Sequence, residues 1–348
     1  MVVVMKSAVS PMHWRSEKLP VIAEPAKPAN PLSRHLRALS CLALLLLSGG
    51  VHAQALDPPI ANSTLPDEQE PITPIPPPPA ADPLKLALGA RLFNDPRLSH
   101  DGTRACSSCH DTRTNGADGN RRDTAPDGTE LPFNTNTVFN AALSFRLTWE
   151  GKFRTLEAQA KATLENPAIM GTSVDEVLGR LDADLEMAHQ FKIAYGHAPD
   201  RQSLLDAVAT YERSLLTPGS RFDRWLDGDA AALSAEEQNG YQLFKSLGCV
   251  SCHQGVNVGG NLFERHGLFH PLASPRPEIL RVPSLRNVAT TSPYFHDGSA
   301  PTLGEAVRRM SIAQLNRTLS GEQVDAIVDF LGTLTGTYHG DPVVAASP

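Results

Sequence analysis

Several things are scarce in this sequence. Only five of its 348 residues are cysteine, too few for the disulfide scaffolds that hold small secreted domains together. Aromatic residues make up 6%, a low share for a core built on aromatic packing. No apolar run reaches the ~18 residues that a membrane-spanning helix needs. Basic residues are in deficit, 31 Lys and Arg against 38 Asp and Glu, for a net charge of −7. That balance argues against a nucleic-acid binder and favours basic partners, through an attraction that salt weakens. The 41% hydrophobic content excludes a wholly disordered chain. The length allows one large domain or two of about 150 residues.

The first 53 residues read as a secretory signal peptide. A short apolar run, Ala38 to Leu47, follows Arg34 and Arg37, and Val51-His-Ala53 supplies the small residues for cleavage before Gln54. The mature protein is therefore expected to be periplasmic and without a membrane span. Residues 54–82 end in a proline-rich stretch that reads as a semi-rigid spacer outside any core. From Asp82-Pro83, a good N-cap and first-turn pair, the signals turn helical. Ser173 with Glu176, Ser234 with Glu237, Thr302 with Glu305 and Ser320 with Gln323 form capping boxes. Leu204, Val208, Tyr211 and Leu215 keep one apolar face, as do Val324, Ile327, Val328, Leu331 and Leu334. No alternating strand pattern stands out, so the expected fold class is all-α.

With Cys41 in the leader, the other four cysteines all lie in Cys106-Ser-Ser-Cys109-His110 and Cys249-Val-Ser-Cys252-His253. A C-x-x-C-H run is the attachment signature of c-type haem: the thiols bind the porphyrin and the histidine holds the iron. A disulfide-forming pair would need no following His, and a zinc site would more often use other spacing and further ligands. Two copies predict two cytochrome c-type domains, 83–228 and 229–340, each with one covalent haem c, followed by a tail at 341–348.

Function then depends on what closes the far side of each iron, since a closed iron passes electrons and an open one binds peroxide or a gas. Met310, near the end of the helix begun by Thr302, is well placed in the second domain. In the first, Met170 stands at a similar distance after its motif, and His189 and His197 are further candidates. Periodicity does not choose among them.

Asn134-Thr-Asn-Thr-Val-Phe-Asn140, Trp149-Glu-Gly151, Glu157-Ala-Gln-Ala160, Cys249 to Asn257, Leu285-Arg-Asn-Val288 and Pro293-Tyr-Phe-His-Asp-Gly298 resemble the bacterial dihaem cytochrome c peroxidases, in a superfamily that includes the enzymes maturing methylamine dehydrogenase. The resemblance runs from about residue 84 to Gly336. It implies hydrogen peroxide as substrate, a small cytochrome or cupredoxin as electron donor, two haems and a calcium ion between the domains. His253 and Met310 would hold the high-potential haem, and His110 the low-potential haem where peroxide binds. Trp149 would relay electrons, Gln159 would sit in the distal pocket, and His296 would meet a haem propionate. Asn134, Thr291 and Pro293 match the calcium positions. The family is often dimeric; no interface signature stands in this sequence.

Two positions depart from the family. Pro126 stands where a histidine usually caps the first iron, and Ile169 where a distal glutamate usually moves protons; Glu165, one turn earlier, is the substitute the sequence offers. Three functions follow as expectations: a peroxidase, an oxidase that modifies a partner protein's side chain, or an electron carrier with both irons closed.

Overall fold

The computed structural model describes residues 69–272 and 277–346. The expected signal peptide and residues 54–68 of the expected spacer lie outside them. All described residues belong to one unit.

The first half begins with α1 (Pro83–Phe93), capped by the Asp82 carboxylate on the Leu84 and Lys85 amides. After a long irregular stretch come α2 (Leu156–Glu165), α3 (Val174–Ala183), α4 (Leu185–Tyr195) and α5 (Arg201–Ser214). Then follow α6 (Arg221–Leu226), α7 (Ala235–Ser246), α8 (Leu303–Leu315) and α9 (Gly321–Gly332). Each of the four predicted capping residues starts a helix. At Ser234 and Ser320 the box closes reciprocally. At Ser173 the third residue, Glu176, reaches instead for Arg180. Two short antiparallel ribbons supplement the helices: β1 (Phe263–Arg265) with β2 (Ile279–Arg281), and β3 (Thr337–Tyr338) with β4 (Asp341–Pro342). The fold is thus mostly helical rather than strictly all-α.

The halves are built on one plan. In the first, α1 crosses α5 so closely that a Cβ on Gly89 would collide with the Ala207 carbonyl and Tyr211. In the second, α7 crosses α9 with Gly240 against the Ala326 carbonyl and Phe330. One turn on, Phe93 meets Tyr211 at 5.2 Å and Phe244 meets Phe330 at 5.1 Å between ring centroids. The correspondence continues at one constant chain spacing. Asn140 and Asn287 both take φ of 60° before a 3-10 turn, a left-handed conformation that Asn tolerates. Both side-chain amides donate to the Thr217 hydroxyl, at 2.8 and 3.0 Å, while Asn140 Oδ1 accepts from the Thr217 amide and Asn287 Oδ1 from the Gly336 amide. The turns Thr148-Trp-Glu-Gly151 and Phe295-His-Asp-Gly298 match, each closed by a bridge, Leu147 with Phe153 and Tyr294 with Ala300. Thr155 and Thr302 then cap α2 and α8 in turn.

Each half also receives the other's chain end. Residues 69–82 are extended, as proline dictates, yet they do not stand off as a spacer. Ile72 is fully buried in the second half's core with Phe222, Tyr241 and Phe330. Arg286 donates to the Thr73 carbonyl at 2.8 Å, and the Gly255 amide to the Pro71 carbonyl at 2.8 Å. Conversely, Val343, in the expected tail, packs with Phe93, Phe139, Tyr211 and Leu215 of the first half. α6 precedes the expected boundary near 228, but its Phe222 and Trp225 belong to the second half's core.

Gly240→Ala should lower stability by about 3 kcal/mol, because a backbone carbonyl cannot yield to the new methyl. Gly332→Ala, with open space around it, should be neutral or stabilising by up to ~1 kcal/mol. Thermal unfolding of the two variants checks this; equal melting temperatures would refute the close-crossing account.

Candidate active site

Between the halves runs a mainly apolar cavity of about 820 Å³ whose wall includes both Cys-x-x-Cys-His motifs. Each motif forms a 3-10 turn, Cys106–Ser108 and Cys249–Ser251, which carries its histidine inward. The His110 and His253 amides each donate back to the first cysteine's carbonyl at 3.0 Å. Their rings are held alike: His110 Nδ1 lies 3.2 Å from the Gly116 carbonyl, and His253 Nδ1 lies 3.2 Å from the Val258 carbonyl. The carbonyl fixes the proton on Nδ1 and leaves Nε2 as a free electron pair, the form that ligates a metal. Burial pushes both imidazoles below their usual pKa, His253 to about 4, so they stay neutral. No disulfide joins the four cysteines. Burial pushes Cys106 and Cys109 up to about 12 and Cys249 to about 11.

The rest of the wall fits a bulky, flat, apolar group with anionic edges. Arg281 is buried, donates through Nε to the Thr148 carbonyl at 3.0 Å, and has no carboxylate partner among the described residues. A buried cation without an anion is costly, and a haem propionate would supply one. Beside it, His266 and His296 share a hydrogen bond of 3.0 Å between Nε2 and Nδ1. Burial holds both rings neutral, His266 at about 4. Their outer nitrogens, His266 Nδ1 and His296 Nε2, are buried without partners. Whichever ring donates to the other, one outer nitrogen is left as a donor.

Residues 83–231 match the family described as di-haem cytochrome c peroxidase, and residues 237–335 the cytochrome c family. The chain is 39% identical over 267 residues to cytochrome c551 peroxidase of Nitrosomonas europaea, covering 72% of this chain and 79% of that protein. The chain belongs to the di-haem cytochrome c peroxidase family. This is a family of oxidoreductases, and its two haem-binding domains correspond to the two halves that line the cavity. The chain is also 39% identical over 297 residues to cytochrome c peroxidase Ccp of Escherichia coli (strain K12), covering 80% of itself but 64% of that longer protein. A solved MauG-like protein associated with microbial copper homeostasis is similar at TM-score 0.65 and 28% identity, over 75% of this chain and 93% of that one.

Most sequence-predicted site residues of this family member line the cavity. Met310 projects from the α8 stripe Leu303, Ala306, Val307, Met310. Gln159 lies on the matching α2 stripe, where its amide donates to the Thr163 hydroxyl at 2.8 Å. Trp149 donates from Nε1 to the Asn134 carbonyl at 2.8 Å, and its ring meets that of His296 edge-on at 6.3 Å. Asn134, Thr291 and Pro293 line the same region, and the Asn134 amide donates to the His296 carbonyl at 2.7 Å.

Others are placed elsewhere. Glu165 is off the wall, exposed and paired with Lys161 at 2.5 Å, because α2 turns it to the opposite face from Gln159. It is not the distal acid. His189 and His197 are exposed on or beside α4, away from either motif, and Pro126 sits exposed in a turn between Ala125 and Gly128. Met170 is buried in the first half's core with Val174 and Leu181 and also lines the cavity, beside Ile169.

The repeat shows what spacing alone concealed. At the constant offset that pairs Thr155 with Thr302, the counterpart of Met310 is Thr163, not Met170. Both line the cavity, but a hydroxyl is no equivalent of a thioether as an iron ligand. Sequence reasoning also missed His266, Arg281 and Glu212. Aligning the two halves from Asn140 and Asn287 onward would have exposed the Thr163–Met310 pair.

Met310→Thr should abolish the sulfur-to-iron charge-transfer band of the loaded protein and lower the potential of one haem. Thr163→Met should convert high-spin absorption to low-spin. Unchanged spectra in both variants would refute the assignment of these two positions.

Proposed function

We propose that this protein is a periplasmic peroxidase that reduces hydrogen peroxide to water with electrons from a small basic redox protein. The observation that carries this reading is the asymmetry at equivalent wall positions, a thioether at Met310 and a hydroxyl at Thr163. When bound, the two haems supply electron storage on the second side and peroxide reduction on the first. Cys106 and Cys109 would attach one covalently and Cys249 and Cys252 the other, with His110 and His253 as the imidazole ligands.

The remaining residues position and insulate. Arg281, His266 and His296 would hold the propionates. Trp149 stands where the halves meet and relays electrons toward the first pocket. The Gln159 amide, steered by its bond to Thr163, orients peroxide. Calcium at Asn134, Thr291 and Pro293 would take backbone and amide oxygens, which suit a hard cation. The acidic surface draws in the donor, so raising ionic strength should slow turnover.

A second reading is an oxidase acting on a partner protein's side chain. What favours it is that Pro126, at the family's capping position, lies out on a turn and not on the cavity wall. Met310 weighs against it, since the maturation enzymes resembled here carry a tyrosine at that position.

The oxidised protein should show one high-spin and one low-spin haem, and should turn over peroxide with a reduced cytochrome without prior reduction. Two low-spin haems, or negligible turnover by fully loaded protein, would sink the peroxidase reading. Chelation should lower turnover, and added calcium should restore it. A chelated protein of unchanged activity and no calcium by elemental analysis would remove the metal from the account.

A further inference from the structure

The α5 stripe that faces the first pocket is Leu205, Val208, Glu212, one turn apart and all on the cavity wall. Its counterpart across the repeat runs along α9, where the Gly240 crossing aligns Ala326 with Ala207 and so Ile327 with Val208 and Leu331 with Glu212. Ile327 and Leu331 also line the cavity. The second half therefore presents a leucine where the first presents a carboxyl. Glu212 is 7% exposed, and its Oε2 is buried with no hydrogen-bond partner. A packing role would be served better by the leucine of the other half.

Behind this position lies a smaller cleft of about 360 Å³, which shares Ala141, Ser144, Leu147 and Leu156 with the large cavity as a common wall. Glu157 and Arg213 line the cleft as a half-exposed ion pair. Burial, with the Glu157 charge adding to it, lifts the Glu212 carboxyl to about 8, so it holds a proton at neutral pH. Tyr211, the residue before it, packs in one cluster with Cys106, and Glu212 and Cys106 line the same cavity, which places it near the first attachment motif.

We propose that Glu212 is the proton carrier of the first pocket, giving its proton to peroxide through cavity water and regaining one from solvent past Glu157 and Arg213. This rests on the peroxidase reading and fills the role that Ile169 and Glu165 leave open. Each peroxide takes two electrons from the donor protein and two protons. Its O–O bond breaks and the two oxygens leave as water. Glu212 cycles between acid and carboxylate and is not consumed.

The test uses the two-haem holoprotein and its E212Q, E212L and E157Q variants. Difference infrared spectra with carboxyl-labelled glutamate should show a protonated-carboxyl band at neutral pH in the wild type that both Glu212 variants lack. Peroxide turnover should fall about 10²-fold in E212Q and E212L, with both haem spectra unchanged and partial rescue by formic acid. E157Q should keep the first turnover and slow the steady state. A wild type without the band, or an E212Q protein at wild-type rate, overturns the proposal while leaving the peroxidase reading intact. A loaded wild type inert to peroxide overturns both.

Discussion

One hydrogen bond, made twice, sets the direction of the whole site: imidazole Nδ1 to a backbone carbonyl, His110 to Gly116 and His253 to Val258. It turns each Nε2 toward the cavity, so the opposite wall decides what each half can do. That wall is a helix in both cases, α2 or α8, started by an equivalent threonine cap. With the scaffold held constant, the difference between the halves reduces to a few side chains: Thr163 for Met310, Trp149 for His296 and Glu212 for Leu331.

The two halves depend on each other for more than chemistry. Thr217 is buried at their junction and answers the amides of both Asn140 and Asn287, so one residue ties the two left-handed turns together. Ile72 and Val343 exchange ends across the molecule. Arg286, buried and paired with Asp223 at 2.7 Å, also holds the Thr73 and Val256 carbonyls. An ion pair so buried adds little net stability but strongly resists losing one partner, which fits a pin that keeps three chain segments in register. The β1–β2 ribbon, which among the described residues only the second half carries, reaches the first through the Arg281 amide bonded to the Trp149 carbonyl. The side chains between the haem positions are thereby held from both sides.

Much of the local structure was legible beforehand. The caps at Asp82, Ser173, Ser234, Thr302 and Ser320 and the faces of α5 and α9 follow from hydrogen-bonding groups and periodicity within a few residues. The attachment motifs are equally local, since thiol, thiol and base must be adjacent to serve one porphyrin. Glu165 shows the limit of such reasoning: its type and rough position suited a proton donor, but the helix turns it toward Lys161 and water. The proline-rich segment is extended as composition requires, yet composition says nothing about Ile72 finding an apolar slot far along the chain.

What the sequence determined by itself was therefore the kind of cofactor, the presence of two matching halves and the places where helices begin, all set by contacts between near neighbours. Which residues face one another across the cavity, whether a methionine or a threonine stands opposite a given histidine, and how a lone carboxyl becomes buried were decided only when distant segments met. Burial and desolvation act on the neighbours a residue acquires in space, and those are not written beside it in the chain.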